Sequence, residues 1–166
     1  MNEAAAQPEV WFYHLLHRRV EAVLPNLLER SRARGWNAAV QATSEARLAM
    51  LDDALWTFSD ESFLAHGCEK DGRDEDGEAA RQPILLTLKP DNTNSAAVRF
   101  FVDGAEVAPA LAAAGGALYQ RCILLFDGSD AEALAGARAQ WRSLKAAGCP
   151  VTYWQEDASG RFEKQA

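Results

Sequence analysis

The sequence predicts an α/β fold in which helices cover both faces of a sheet, the three-layer αβα arrangement. Short apolar runs of strand length alternate along the chain with longer segments in which apolar residues recur every three or four positions. This alternation is typical of parallel sheets, whose strands are buried on both faces. We therefore expect a mostly parallel or mixed sheet of about five or more strands, similar to a Rossmann fold but without a nucleotide site.

The composition of the 166-residue chain is typical of a soluble protein, and we expect a single domain over residues 1–166. With 17 basic and 24 acidic residues, the net charge of −7 argues against strong direct binding of nucleic acid, although not against one local basic patch. The N-terminus has no secretory signal pattern and no apolar run is long enough to span a bilayer. We expect a cytoplasmic protein without membrane contact.

The three cysteines form no CxxC pair, so neither a zinc ribbon nor a disulfide framework is indicated. Apolar runs predict strands at residues 10–16, 36–42, 83–88, 97–102, 122–126 and 151–155. Helical periodicity lies between them, in residues 20–35, 44–55, 109–120 and 129–148. Three segments lack such patterns: a flexible lead-in at 1–8, a mobile acidic loop at 69–81 and a polar tail at 157–166.

Details of the helices follow from turn and capping residues. Pro25 lies inside the first helical pattern, so we expect either a kink or a later start of that helix. Thr43 precedes the second helix as its expected N-cap, with Ala46 among the inward positions. Ser129 is the expected N-cap of the last helix, and Gly148 is its expected stop.

The last helix, residues 129–148, combines an apolar face with a basic stripe. The apolar positions are Leu134, Ala137, Trp141 and Leu144, and the basic ones, displaced by one residue, are Arg138, Arg142 and Lys145. Cations near a helix C-terminus also stabilise the helix dipole, which alone explains many such stripes. Trp and Arg together, however, are enriched at binding hot spots and suit a short acidic peptide that carries an aromatic residue.

No catalytic motif accompanies these elements. Neither G-x-G-x-x-G nor G-x-x-x-x-G-K-[ST] is present, and no nucleophile signature is visible. Asp103 and Asp127 each follow a predicted strand, so an Mg²⁺-dependent receiver-like or phosphotransfer domain is an alternative. The Asp-Gly pairs at both positions are more simply explained as turns.

The segment 54–66, ALWTFSDESFLAH, resembles the chi subunit family of bacterial DNA polymerase III. The preceding FYHLL run and the later R-x-x-x-W-R-x-x-K-x-x-G helix extend the similarity over most of the chain. The resemblance implies a three-layer fold that has no catalytic activity, cofactor or metal and serves as a subunit of a DNA-directed DNA polymerase assembly. It also implies a 1:1 heterodimer with the psi subunit, with a helicase as a possible alternative partner at that surface.

The resemblance further implies binding of the acidic C-terminal tail of single-stranded-DNA-binding protein, which would tether the clamp loader to coated lagging-strand template. Carried over by position, the psi-contacting aromatics match Trp56 and Phe63. The tail-binding arginine matches Arg138, its aromatic neighbour matches Trp141, and Arg142 and Lys145 follow in the same basic block. Leu134 stands where the family has a tail-contacting lysine, and Ala65 where it has a proline.

Overall fold

The computed structural model describes residues 8–58, 64–69 and 77–166. Its strands are β1 (Glu9–Leu15), β2 (Ala38–Gln41), β3 (Gly67–Glu69), β4 (Ile84–Thr87), β5 (Val98–Phe101), β6 (Arg121–Asp127), β7 (Val151–Glu156) and β8 (Phe162–Lys164). Its helices are α1 (Val20–Ala33), α2 (Glu45–Trp56), α3 (Glu78–Arg81), α4 (Val107–Ala112) and α5 (Ala131–Ala146), with a 3₁₀ turn at Gly116–Leu118. The six predicted strands and the four predicted helical regions all correspond to elements.

One eight-stranded sheet runs through the molecule in the order β3-β4-β2-β5-β6-β1-β7-β8. Its neighbouring strands are parallel except for β7 and β8, which are antiparallel. The central strands β2, β4 and β5 are buried along their whole length, which is why their residues are mostly apolar and show no alternation of apolar and polar positions. The prediction of a mostly parallel or mixed sheet is confirmed.

Helices cover both faces of this sheet, so the three-layer prediction is also confirmed. On one face, α1 and α2 contribute residues such as Leu28 and Leu51 to a core shared with Leu15 of β1. On the other face, α4 and α5 pack through residues such as Leu144 against Phe12 of the same strand. Successive side chains of a strand point to opposite faces, so β1 supplies both cores.

The helix boundaries correct two expectations. The helix α1 begins at Val20 and continues through Pro25, so a start after the proline is wrong. Burial of Val20, Val23 and Leu24 outweighs the one backbone hydrogen bond that the proline cannot donate. The predicted helix at 109–120 is divided, because Gly115 adopts a φ of +79° between α4 and the 3₁₀ turn.

Each of the two predicted N-caps is one residue before the residue that caps the helix in the structure. Ser44 rather than Thr43 caps α2, and its hydroxyl accepts the Arg47 backbone N–H at 3.2 Å. Asp130 rather than Ser129 caps α5, because its carboxylate reaches the N–H groups of the two residues Glu132 and Ala133. Ala46, expected to face inward, is exposed on the first turn of α2.

The segments predicted to be irregular contain short elements. The predicted loop at 69–81 begins with Glu69, the buried last residue of β3, and ends with α3, while residues 70–76 lie outside the described residues. The Glu69 carboxylate accepts the Thr87 hydroxyl at 2.9 Å, which explains why a charged residue is buried there. The polar tail at 157–166 contains β8, and seven of the eight lead-in residues, 1–7, are likewise outside the described part.

Candidate functional site

The basic stripe lies on the solvent side of α5. Ala137 and Leu144 are buried against the sheet, as predicted, whereas Arg138, Arg142 and Lys145 are exposed. These three cations are four and then three residues apart, so they share one side of the helix. None of them forms an ion pair with a carboxylate in the described part of the chain. Their positive charge is therefore available to an anionic partner.

Trp141 forms the apolar border of this stripe. Its ring is partly buried and meets Phe12 of β1 edge to face, with 5.3 Å between centroids. It makes a second edge-to-face contact with Tyr153 of β7 at 5.8 Å, and the Lys145 ammonium lies 5.9 Å from its centroid. The indole is thus fixed by core aromatics from below and stands beside a cation at the surface.

His14 and Tyr153 extend the surface beyond α5, although the sequence did not indicate them as site residues. The His14 Nδ1 lies 2.5 Å from the Tyr153 hydroxyl. Burial first, and then the Arg138 charge, lower the pKa of His14. Burial also raises the pKa of Tyr153, and the same arginine partly offsets this effect. The Arg138 charge thus acts on both side chains, and we treat them together with α5 as one aromatic and cationic surface.

The closeness of these two rings follows from strand pairing. β1 and β7 are parallel neighbours, with Phe12 opposite Tyr153, although about 140 residues separate them in sequence. Nothing in the local sequence specifies that β7 follows β1 rather than β6 in the sheet. The two-residue period of side chains in any strand does indicate that His14 shares a face with Phe12, which is the one signal that could have suggested His14.

Trp56 lies elsewhere, at the end of α2 on the opposite side of the sheet. The side chain is 55% exposed, and its ring centroid is 4.6 Å from that of His66. The His66 ring is itself held by the Asp52 carboxylate at 2.8 Å and the Leu64 carbonyl at 2.7 Å. The second predicted aromatic of this surface, Phe63, lies outside the described residues.

The carboxylates of the alternative metal site are already engaged. The Asp103 carboxylate accepts the Arg47 Nε at 2.6 Å, and that guanidinium also pairs with Glu21. Asp127 accepts the Ser129 hydroxyl at 2.6 Å, and this bond lowers the pKa of its carboxyl. Both residues line a cavity of about 630 Å³ at the carboxyl ends of the strands. Among the described residues, however, no group of three histidines, cysteines or carboxylates is arranged to hold a metal.

The loop after β1, where nucleotide-binding folds of this type hold phosphate, contains an anion from the chain itself. The Glu156 Oε1 accepts the backbone N–H groups of three successive residues, Leu16 at 3.2 Å, His17 at 2.8 Å and Arg18 at 3.1 Å. Its Oε2 accepts the Arg18 Nε at 2.5 Å. A carboxylate thus occupies the nest of N–H groups that would otherwise attract a phosphate.

Comparison with known proteins shows a similarity that spans most of the chain. The sequence model of the family described as "DNA polymerase III chi subunit, HolC" matches residues 8–152. The chain is also 26% identical over 99 residues to the probable DNA polymerase III subunit chi of Rickettsia prowazekii (strain Madrid E). That alignment covers 60% of this chain and 57% of the relative, so the match spans little more than half of the relative's length.

Two further observations bear on the setting of the site. In the ranges that the structure describes, none of the helices is both long and apolar enough to cross a membrane. The family match includes β1, α2, α5 and the first residues of β7, and so it includes both the basic stripe and Trp56. The chain belongs to the DNA polymerase III chi subunit family.

Proposed function

We propose that this protein is a non-catalytic accessory subunit of DNA polymerase III, and that α5 binds the acidic C-terminal tail of single-stranded-DNA-binding protein. Membership of the chi family supports the replication role. The observation that carries the tail-binding proposal is the row of exposed cations beside Trp141, which lack ion-pair partners among the described residues. In a chain whose net charge is −7, such a row is a local exception.

The chemistry of this surface suits an acidic peptide that contains an aromatic side chain. Carboxylates of the peptide would accept hydrogen bonds from Arg138 and Arg142, each contributing about 1.5–3 kcal/mol. An aromatic ring placed against Trp141 and Tyr153 would contribute about 2–3 kcal/mol through burial. After the cost of association is subtracted, we expect a binding free energy of about −8 kcal/mol, which corresponds to micromolar affinity. Because the cations are exposed, salt should weaken this binding.

Replacement of Arg138 tests the tail site. We expect Arg138→Ala to weaken binding of a tail peptide at least about 10-fold, since one charge-assisted hydrogen bond contributes 1.5–3 kcal/mol. Trp141→Ala should weaken it similarly by removing the aromatic contact. Isothermal titration calorimetry with the peptide measures both effects, and circular dichroism verifies the fold. The control is Arg19→Ala, an equal change of charge at an exposed position before α1. Unchanged affinity of Arg138→Ala, or an equal loss in the control, would refute the site.

The second part of the proposal places the psi subunit, in a 1:1 heterodimer, on the surface around Trp56 and Phe63. The support is the 55% exposure of the Trp56 indole, which His66 holds at the end of α2. An exposed large aromatic in a fixed position is typical of a partner anchor. A helicase that uses this surface would compete with psi for it.

Co-purification tests the psi surface. We expect Trp56→Ala to abolish or greatly reduce recovery of co-expressed psi, because an anchor of this size contributes about 2 kcal/mol or more. The matched control is Met50→Ala, which removes another exposed apolar side chain, 51% exposed, from a different side of α2. Full recovery of psi with Trp56→Ala would move the interface elsewhere.

A further inference from the structure

A second surface, remote from α5, lies on the face of the sheet that carries α1. The side chains of Trp11 in β1, Trp154 in β7 and Phe162 in β8 point to this face, and Trp36 follows α1 beside them. All four are only partly buried, and we call them the tryptophan face. A cavity of about 420 Å³ separates α1 from the β7 and β8 part of this face.

The rings of the tryptophan face form a row with arginine side chains stacked on it. The centroids of Trp11 and Trp154 are 5.0 Å apart, with 31° between the ring planes. The Arg121 guanidinium lies 3.8 Å from the centroid of Trp11 and 5.6 Å from that of Trp36. The Arg34 guanidinium in turn lies 4.9 Å from the centroid of Trp36. Planar groups therefore alternate along the row at spacings of a few ångströms.

The charge of this row is not neutralised. Arg30, Arg34, Arg121 and Lys164 form no ion pair with any carboxylate of the described residues. Burial lowers the pKa of Arg121, and so does the Arg34 charge, whereas Tyr13 and then Glu9 act in the opposite direction. Lys164 lies opposite Trp154 in the antiparallel pair, so its side chain is on the same face.

We propose that the tryptophan face binds a short segment of single-stranded nucleic acid. Partly exposed aromatic rings on adjacent strands of a sheet, with arginines beside them, are an arrangement on which unpaired bases stack. The surrounding arginines and lysine are placed to contact the phosphates. An acidic peptide with a single aromatic residue would use the cations and one ring, whereas successive bases and phosphates use the cations and the whole row of rings. This inference is independent of the proposed tail binding, which uses the opposite face of the sheet.

The net charge of −7 sets the strength of this interaction. Repulsion between the rest of the chain and the phosphates keeps the binding weak and confines it to a few nucleotides. It is strongest at low salt and shows little sequence preference, because every base offers a flat face. A protein held on coated template by another contact would meet such exposed nucleotides at high local concentration.

Fluorescence anisotropy of a labelled oligothymidylate of about 12 nucleotides tests the charge contribution with the full chain. We expect binding at low salt, and a plot of log affinity against log salt that is shallower by about 0.7 in Arg34→Ser, since one phosphate contact is lost. Arg19→Ser, at the opposite end of α1, is the matched control and should bind like the unaltered protein. No binding at low salt, or equal losses in both variants, would overturn the proposal.

An oligomer without bases tests the stacking contribution. We expect an abasic strand of the same length to bind about 5- to 150-fold more weakly than oligothymidylate. This range corresponds to the loss of the stacking free energy of one base. Trp154→Leu should reduce binding of oligothymidylate toward the abasic level. Equal binding of the abasic strand, or equally effective competition by polyglutamate, would show that the face recognises charge alone and would overturn nucleic-acid binding. Arg34→Ser keeps the test valid if Trp154→Leu does not fold, because Arg34 is exposed.

Discussion

At the scale of single residues, Gly128 illustrates how closely the α5 surface is built onto the sheet. A Cβ added at this glycine would lie 1.7 Å from the His14 Nε2. We predict that Gly128→Ala displaces the imidazole from Tyr153 and lowers the free energy of unfolding by about 1–3 kcal/mol. Urea denaturation followed by circular dichroism measures this change.

Gly136 provides the matched control for that substitution. It lies in α5, and an added Cβ would meet nothing within 4 Å. Gly136→Ala should therefore stabilise the protein by about 0.5–1 kcal/mol through helix propensity. Combining Gly128→Ala with His14→Ala should cost less than the sum of the two single changes, because the clash disappears. Full additivity would contradict the proposed cause.

Arg99 shows what residue types alone did not reveal. The run 97–102 was correctly predicted as a buried strand, yet its arginine is 0% exposed. Its guanidinium donates to the Gln41 Oε1 at 2.6 Å, to the Tyr119 hydroxyl at 3.1 Å and to the carbonyls of two loop residues, Lys89 and Asp91. These acceptors come from distant parts of the chain, so only the assembled sheet makes the buried charge tolerable.

At the scale of elements, Glu156 connects the end of β7 with the loop that leads from β1 into α1. Burial raises the pKa of the Glu156 carboxyl, but hydrogen bonds from the Arg18 side chain and three backbone N–H groups lower it by more. The folded pKa is therefore below the ordinary value. The stabilisation from this carboxylate is therefore complete above the unfolded value of about 4.3 and is lost as pH falls through the folded pKa. The unaltered protein should lose stability over that acidic range.

Glu156→Gln tests this assignment. At about pH 7 the variant should be less stable by about 2 kcal/mol, because hydrogen bonds to a charged acceptor are weakened. As the pH falls through the folded pKa of Glu156, the difference should shrink, since the carboxyl then becomes protonated in the folded protein as well as in the unfolded chain. Urea denaturation at several pH values measures both, with the exposed Glu163→Gln as control. A difference that does not change with pH would contradict the role of the charge.

Helices and strands with many apolar residues were predictable from the sequence, and short elements with few apolar residues were not. Long buried strands such as β1 and β6 carry continuous hydrophobic runs, and the amphipathic α5 carries a clear period. By contrast, β3 and β8 have three residues each and little apolar character, because pairing with β4 and β7 rather than sequence defines them. The caps were misplaced by one residue, since Thr43 and Ser44, like Ser129 and Asp130, are both competent caps.

At the scale of the whole molecule, the two proposed protein-binding surfaces lie in different layers. Trp56 ends α2 on one face of the sheet, and Trp141 belongs to α5 on the other. We predict that saturation with psi changes the affinity for a tail peptide less than about 2-fold, because separated sites without shared contacts are additive. Calorimetry of the peptide with and without bound psi measures this. A 10-fold change would indicate coupling through the sheet.

The overall fold class followed from the sequence, but the assembly of the α5 surface did not. Crossover connections let β7 pair with β1 instead of its predecessor β6, and this strand order brings Tyr153 beneath Trp141. The stripe of Arg138, Arg142 and Lys145 was predictable because it depends on helical spacing alone. Contacts that depend on which strands are neighbours cannot be read from local periodicity.

The two outermost strands have a consequence for aggregation. Unpaired backbone groups along the edge of a sheet can recruit a further strand from another molecule. Here β3 and β8 each offer only three residues, and β8 carries the charged pair Glu163 and Lys164. Such edges give an incoming chain too few hydrogen bonds to extend the sheet. In the part of the chain that the structure describes, neither edge strand therefore favours edge-to-edge polymerisation, and we expect side chains rather than strand addition to select partners.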